Sequence, residues 1–197
     1  KEINHRVKNN LSLIKSLVSL KEMDIDGDFD FSDIYNQIEA IRIVHEKLYH
    51  AEQVTNIDFA DYAHELLTTI FSSFTAEPVL LEFDIDPLSL KTKTAIPLGL
   101  IINEIATNAI QHGFSPGGKG KALFSISMEK VEDDRIYEMV LSNSGKPFPE
   151  NLDFTNPGSL GLRLIQTLVE QIGGKVELKR SPYPVFTIRF PISKDGV

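Results

Sequence analysis

The stretch PLGLIINEIATNAIQHGF, Pro97 to Phe114, decides how the rest of the chain is interpreted. At about 100° per residue, its polar side chains fall on one half of a helix and its apolar side chains on the other. The polar half is predicted to hold Asn103, Glu104, Thr107, Asn108, Gln111 and His112. Glu104, Asn108 and His112 recur every four residues, so a carboxylate, an amide and an imidazole align on one face. Oxygen ligands in such a row suit Mg²⁺ held with substrate phosphates. The same pattern also fits an amphipathic helix with an ordinary solvated face.

A family resemblance favours the first interpretation. The spacing of Glu104 and Asn108-Ala109, followed by Gln111-His112, resembles the N box of the GHKL ATPases, the superfamily that includes DNA gyrase and the sensor histidine kinases. The resemblance implies that Asn108 binds the Mg²⁺ of ATP and that Glu104, one turn earlier, serves as a general base or orienting group. It also places His112 among the nucleotide-binding residues. Gln111 stands where the family usually has a lysine.

The composition limits the possible partners and compartments. The chain has 197 residues, 42% hydrophobic and 24% charged, which leaves room for one or two globular domains. Its net charge of −8 provides no basic surface for a phosphate backbone, so we expect no nucleic acid partner. The absence of cysteine excludes disulfides and thiolate metal sites. No apolar run reaches the ~20 residues that span a bilayer. We therefore expect a cytoplasmic location without direct membrane contact.

The first 23 residues predict a long amphipathic helix with a candidate phosphoacceptor on its polar face. Polar and mostly small side chains follow one another down that face: His5, Asn9, Ser12, Ser16 and Ser19. A lone exposed histidine is usually inert. The run HRVKNNL, however, resembles the phosphoacceptor box of histidine kinases, which implies that His5 receives a phosphoryl group. The family often has an acidic residue beside this histidine, and here Arg6 takes that place.

A second helix, from about Asp33 to Gln53, is predicted to pair with the first. The aspartate-rich loop between them superficially suggests a Ca²⁺ site. The glycine and glutamate that such a loop needs are replaced by Phe29 and Tyr35, which favours a solvated connection. The two helices would form an antiparallel hairpin whose apolar stripes are best covered by a second copy. Residues 1–54 are therefore predicted to be a dimerisation and phosphotransfer hairpin, half of a dimeric four-helix bundle.

Residues 55–197 are predicted to form a separate ATP-binding domain, because helical and extended patterns alternate there. Strands are predicted at 79–85, 122–132, 135–143, 175–181 and 185–192, with helices at 59–75, 97–114 and 159–174. The segment 86–95 is predicted to be a turn-rich loop that leads into the N-box helix. Gly173-Gly174 is expected to end the last helix. The predicted fold class is α+β: the hairpin, then a two-layer α/β sandwich similar to the GHKL, or Bergerat, fold.

The strand ending at residue 143 leads into an altered adenine motif. The family has Asp-x-Gly-x-Gly here, and its aspartate accepts a hydrogen bond from the adenine amino group. In SNSGKPFPE the corresponding residues are Asn143, Gly145 and Pro147. An amide oxygen can still accept that hydrogen bond, but it carries no charge. The resemblance implies that Asn143 and Gly145 line the base pocket.

The run NPGSLGLRLI resembles the second glycine box of the family, with Gly158, Ser159, Leu160 and Gly161 at the opening of a helix. Glycines admit close backbone approach, and a helix N-terminus offers free N–H groups to phosphate. Ser159 also fits a simple helix cap. The family's Gly-Thr before the last strand is replaced by Tyr183-Pro184.

Together these resemblances imply the catalytic core of a sensor histidine kinase, an enzyme that uses ATP and Mg²⁺ to phosphorylate His5. The phosphoryl group would then pass to an aspartate of a response-regulator receiver domain. Such a kinase also implies an upstream sensor domain, which this chain does not include.

Two other functions stay open. The first is a histidine phosphotransfer hub whose GHKL domain is degenerate and binds no ATP, which the changes at Asn143, Pro147, Gln111 and Tyr183 favour. The retained Glu104/Asn108 pair argues against it. The second is a serine kinase or an ATP-driven clamp of the same superfamily, which leaves the hairpin and His5 unexplained.

Overall fold

In the part of the chain that the computed structural model describes, three helices lie on one face of a five-stranded sheet. The structure describes residues 56–74, 78–114, 122–131, 136–154 and 160–191. The predicted hairpin of residues 1–54 lies outside these ranges, and so do Gly158 and Ser159. Within the described ranges, no helix is long and apolar enough to cross a membrane.

The element order is mixed, as the sequence predicts. The helices are α1 (Phe59–Phe74), α2 (Thr92–Asn108) and α3 (Leu160–Gln171), and a π-helical turn (Ala109–Gly113) continues α2. The strands are β1 (Asn56–Asp58), β2 (Val79–Ile85), β3 (Ser89–Lys91), β4 (Ala122–Val131), β5 (Ile136–Asn143), β6 (Lys175–Lys179) and β7 (Val185–Pro191). β1 pairs with β3, and the larger sheet has the order β2-β4-β5-β7-β6. Only the pairing of β2 with β4 is parallel in this larger sheet, among the strands described. The predicted α+β sandwich is confirmed for this part of the chain.

Alternating side chains on the strands create the single core. Every second residue of β4 and β5 is buried beneath the helices: Phe124, Ile126, Met128, Tyr137, Met139 and Leu141. The residues between them lie on the opposite face, where the Ser125 and Ser142 hydroxyls form a 2.8 Å hydrogen bond. Burying each large apolar side chain contributes about 1.5–3 kcal/mol. The helices therefore cover one sheet face, and no described helix covers the other, which we call the open face.

Local side-chain chemistry sets the helix ends. Asp58 caps α1, because its Oδ1 accepts a 3.1 Å hydrogen bond from the Asp61 N–H. At the end of α3, Gly173 has a φ of 71°, and the Gly174 N–H bonds to the Val169 carbonyl at 2.8 Å. This pattern is the glycine stop that satisfies the last carbonyls of a helix. The predicted stop at Gly173-Gly174 is confirmed.

The start of α2 corrects the prediction of a loop at residues 86–95. The helix begins at Thr92, and Pro97 lies inside it even though a proline removes one helical hydrogen bond. β3 also occupies part of the predicted loop. Ala95 and Leu98 are fully buried, so their packing holds the first turns of the helix in place. Tertiary burial here overrides the local turn signal.

Two residues of the predicted polar face are buried instead. Asn103 is 2% exposed and Thr107 is 9% exposed. The prediction assumed a half-solvated helix, but α2 lies between α1 and α3 and is covered on both flanks. The Asn103 Oδ1 and Thr107 Oγ1 atoms have no hydrogen-bond partner among the described residues. The accessible polar surface of α2 is therefore narrower than the sequence pattern indicates.

A glycine allows α1 and α2 to pack closely. A Cβ atom at Gly99 would lie 1.7 Å from the hydroxyl oxygen of Tyr62, so only glycine fits at this contact. The Tyr62 ring is fully buried, and its hydroxyl has no hydrogen-bond partner in the described part of the chain. Burial raises the pKa of the Tyr62 phenol well above its usual range. The hydroxyl therefore stays neutral inside the core.

Candidate functional site

Glu104 and Asn108 lie one helical turn apart on α2, and both are half-buried. The Asn108 Nδ2 donates to the Glu104 Oε1 at 3.5 Å, the upper limit of hydrogen-bond length. Because this bond uses the amide nitrogen, the Asn108 Oδ1 is not engaged by Glu104. The structure thus places a carboxylate beside an amide oxygen that suits a hard cation.

The opening of α3 packs directly against this pair. A Cβ atom at Gly161 would lie 1.8 Å from the Glu104 Oε1 and 2.7 Å from its carboxyl carbon. Gly161 therefore makes room for the Glu104 side chain. The close approach brings the N-terminal turn of α3 next to the Glu104/Asn108 face, where its free N–H groups suit an anion. Leu160 is the first residue of that helix.

Asn143, at the end of β5, lies in a cradle of two glycines. Its side chain is 4% exposed, and its Nδ2 has no hydrogen-bond partner among the described residues. Cβ atoms at Gly113 and Gly145 would lie 2.7 and 2.6 Å from that nitrogen. Buried polar groups in native proteins are normally hydrogen-bonded, so a bound ligand that paired with this amide would be favoured. A carboxamide offers both a donor and an acceptor, which matches the edge of a purine base.

The π-helical turn joins the Glu104/Asn108 pair to the Asn143 cradle. The turn is closed by a 3.0 Å hydrogen bond from the Phe114 N–H to the Ala109 carbonyl, five residues back. At its end, the Gly113 carbonyl accepts a 2.8 Å hydrogen bond from the Lys146 N–H. Gly161, the Glu104/Asn108 pair and the Asn143 cradle thus belong to one continuous set of contacts.

The same turn changes the geometry expected for His112. The four-residue row of Glu104, Asn108 and His112 assumed an unbroken α-helix. A turn closed over five residues holds more residues than an α-helical turn, so residues four apart no longer lie on the same face of the helix. His112 is exposed on this turn, and so is Gln111. The assignment of His112 to the nucleotide site stays a prediction.

Some of the other predicted residues lie within the described part of the chain, and some do not. Pro147 is exposed in the segment that follows β5, and Tyr183 is 42% exposed on the turn before β7. His5 lies outside the described residues, as do Gly158 and Ser159. In the described part of the chain, no group of three or more histidines and acidic residues could hold a metal ion alone. A cation at Asn108 would need phosphate oxygens as further ligands.

Sequence reasoning missed Gly113, against which Asn143 packs, and two side chains that contact the segment after β5, Arg180 and Gln166. Gly113 had a usable signal, because it is a glycine directly after the polar helix face. Arg180 and Gln166 had none, since each contacts a segment far away in the chain.

Two family models match this chain. One, described as histidine kinase, matches residues 2–74. The other, described as histidine kinase-, DNA gyrase B- and HSP90-like ATPase, matches residues 93–194, more than half of the chain. The chain belongs to this ATPase family. The two matches confirm the resemblance drawn from the HRVKNNL run and from the N box. The predicted domain boundary at residues 54/55 stays a prediction.

Alignments with relatives of this ATPase-family chain cover nearly its whole length. Blue-light-activated histidine kinase 2 of Erythrobacter litoralis is 26% identical over 199 residues, which cover 98% of this chain and 57% of that protein. Sensor histidine kinase PdtaS of Mycobacterium tuberculosis is 26% identical over 204 residues, 100% of this chain and 40% of that protein. The chain thus spans about half the length of the relatives it matches.

Solved structures confirm the fold of the family member. The histidine kinase domain of a blue-light activated kinase from Erythrobacter litoralis has a TM-score of 0.74 at 21% identity. The match covers 91% of this chain and 82% of that one. A longer structure of that kinase has a TM-score of 0.77 at 22% identity and covers 98% of this chain.

Proposed function

We propose that this chain is the catalytic core of a sensor histidine kinase. It uses Mg·ATP to phosphorylate His5 and passes the phosphoryl group to an aspartate of a response-regulator receiver domain. The observation that best supports this is that Glu104 packs against Gly161 at the opening of α3 and is hydrogen-bonded to Asn108. A decayed domain has no reason to keep a glycine whose space the Glu104 carboxylate fills. The ATPase family of the domain implies ATP as the phosphoryl donor.

In the proposed reaction, one imidazole nitrogen of neutral His5 attacks the γ-phosphorus. The bond from phosphorus to the β,γ-bridging oxygen breaks, ADP leaves with its electron pair, and the imidazole loses a proton from its other nitrogen. Asn108 would hold the Mg²⁺, and the ion would supply positive charge that stabilises the phosphoryl group in transfer. Glu104 orients water or the metal shell, and it is the candidate acceptor of the His5 proton. Catalysis of this kind is mostly positioning and charge stabilisation.

The nucleotide is proposed to contact both glycine motifs. The proposed binding residues are His112, Asn143, Gly145, Gly158, Ser159, Leu160 and Gly161. The cradle around the unpartnered Asn143 amide supports the base end of this site. The N-terminal turn of α3, beside Glu104, supports the phosphate end.

The remaining partners follow from the same proposal. Residues 1–54 form the phosphoacceptor hairpin and dimerise as a four-helix bundle, which the histidine kinase match at residues 2–74 supports. The protein acts in the cytoplasm under the control of a sensor domain upstream of this chain. The names of its relatives, a blue-light-activated kinase and a sensor kinase, support such control.

Incubation with γ-labelled ATP tests the function. We expect label in an acid-labile, base-stable phosphoramidate that is lost in His5→Gln and kept in His45→Gln, a second histidine of the predicted hairpin. Subsequent addition of a receiver domain should remove the label from the kinase. Absence of label on the wild-type chain would favour the phosphotransfer hub. Acid-stable label would point instead to a serine kinase of the superfamily.

A further inference from the structure

The segment that follows Asn143 is bonded to the rest of the domain through the backbone N–H groups of three alternate residues at its start. We call residues 144–154 the connecting segment. The Ser144 N–H bonds to the Leu123 carbonyl at 2.9 Å, the Lys146 N–H to Gly113 at 2.8 Å and the Phe148 N–H to Arg180 at 2.9 Å. Gly145 lies between the first two of these bonds, against the Asn143 cradle. The position of the segment therefore determines the position of Gly145.

The Arg180 side chain holds the next part of the segment. One guanidinium nitrogen donates to the Pro149 carbonyl at 2.6 Å, and the other terminal nitrogen donates to the Leu152 carbonyl at 2.8 Å. The guanidinium carbon also lies 5.3 Å from the centre of the Phe148 ring. Hydrogen bonds from a charged donor are stronger than neutral ones, and the planar fork of arginine can reach two acceptors at once. A single side chain thus fixes three residues of the segment.

A second clamp holds the far end of the segment. The Gln166 Nε2, on α3, donates to the Phe154 carbonyl. The rings of Phe148 and Phe154 pack edge-on against Phe186, with ring centres 6.2 and 6.0 Å away. The connecting segment is therefore tied both to the sheet and to the helix that opens at Gly161.

We propose that Arg180 and Gln166 are positioning residues for the nucleotide. By holding the connecting segment they keep Gly145 against Gly113 and Asn143, and so they set the affinity for ATP without touching it. Neither residue lies on the Glu104/Asn108 face, so neither alters the phosphoryl-transfer step. This inference rests on the proposed function, because it assigns the cradle to the bound nucleotide.

Initial rates of His5 labelling, measured over a range of ATP concentrations, test the inference in Arg180→Gln, Arg180→Lys, Gln166→Leu and the control Arg189→Gln. Here KM is the ATP concentration at half the maximal rate, and kcat is the maximal rate constant. Arg189 suits the control because it is an arginine of the same sheet whose ion pairs, with Glu138 and Glu177, lie on the open face. We expect Arg180→Gln to raise the KM for ATP about tenfold and to leave kcat within about twofold of the wild type. This pattern is expected when a substitution weakens the binding of the ground state and the transition state equally. Lysine reaches only one of the two carbonyls, so the KM of Arg180→Lys should lie between those of the wild type and Arg180→Gln. Arg189→Gln should leave both constants unchanged.

Hydrogen exchange supplies a readout that is independent of nucleotide. Residues 144–154 should exchange faster in Arg180→Gln than in Arg189→Gln. Should Arg180→Gln fail to fold, Gln166→Leu removes one tie to the same segment and must raise KM in the same direction. A fall in kcat at constant KM, or a lowered melting temperature with both constants unchanged, would overturn the inference. An unlabelled wild-type chain would instead refute the proposed function, before any variant is compared.

Discussion

Replacing Gly161 with alanine displaces Glu104 without removing it. The new Cβ would lie 1.8 Å from the Glu104 Oε1, whereas real Cβ contacts essentially never fall below 3.0 Å. The carboxylate must therefore recede by about 1.2 Å, the difference between these two distances. A misplacement of about 1 Å in a catalytic site can cost roughly 100-fold in rate. We expect Gly161→Ala to lower the rate of His5 phosphorylation by about 10- to 100-fold.

The fold should tolerate this substitution. The clashing atom is the end of a flexible side chain, which can rotate away. Alanine also has a higher helix propensity than glycine, which offsets part of the rearrangement. The melting temperature should therefore change little, so the loss of rate can be measured on folded protein.

A double-mutant cycle with Glu104→Ala tests whether the loss of rate in Gly161→Ala is caused by the displacement of Glu104. Rates of label uptake from γ-labelled ATP are measured for the wild type, both single variants and the double variant. If Gly161→Ala acts through Glu104, it should cost almost nothing in the Glu104→Ala background. An equal loss in both backgrounds would refute this reasoning. It would show that residue 161 acts through its own contact with the nucleotide.

Three further changes probe other parts of the molecule. Asn143→Asp should raise the ratio of ATP to GTP affinity by about 5- to 30-fold in calorimetric titrations, because a carboxylate would accept a charge-assisted hydrogen bond from the adenine amine where the neutral amide accepts a weaker one. Tyr62→Phe should leave the free energy of unfolding unchanged or raise it by up to about 2 kcal/mol in urea titrations, since it removes a buried hydroxyl without a partner in the described chain. Ser12→Arg with Ser16→Arg should leave His5 autophosphorylation nearly intact, yet slow transfer to a receiver domain at least about tenfold. The reason is that the small polar side chains below His5 would let a receiver domain approach that helix face, and two arginines would block it.

Each of these has a contradicting result. An unchanged or lower ratio in Asn143→Asp would mean that residue 143 does not face the base. A clear loss of stability in Tyr62→Phe would show that the hydroxyl is satisfied by a buried water. Transfer at the wild-type rate in the double arginine variant would place the receiver on another surface, such as the second predicted helix.

Sequence patterns predicted the structure correctly where a residue's partners are close in sequence. The four-residue spacing of Glu104 and Asn108 predicted their common face, and the glycines at 173 and 174 predicted the end of α3. Alternation of apolar residues located β4 and β5, because a half-buried strand shows its two faces directly in the sequence.

The failures have a tertiary origin. The run at residues 86–95 looks like a turn, but burial of Ala95 and Leu98 makes its second half helical. Asn103 and Thr107 look solvated, because no sequence pattern shows that α1 and α3 cover both flanks of α2. The clamp of Arg180 joins residues about 30 positions apart, and a single arginine carries no signal of such a contact.

Calorimetric titration of ATP, with and without Mg²⁺, tests the central claim most directly. The claim is that the Glu104/Asn108 face and the Asn143 cradle form one working nucleotide site. The wild type should bind ATP in a Mg²⁺-dependent manner, and Asn108→Ala should lose that binding because the cation loses its protein ligand. Gln111→Ala, an exposed neighbour on the π-helical turn, should bind like the wild type. A wild-type chain that takes up no ATP at millimolar nucleotide and Mg²⁺ would contradict the claim and leave the phosphotransfer hub as the function of this fold.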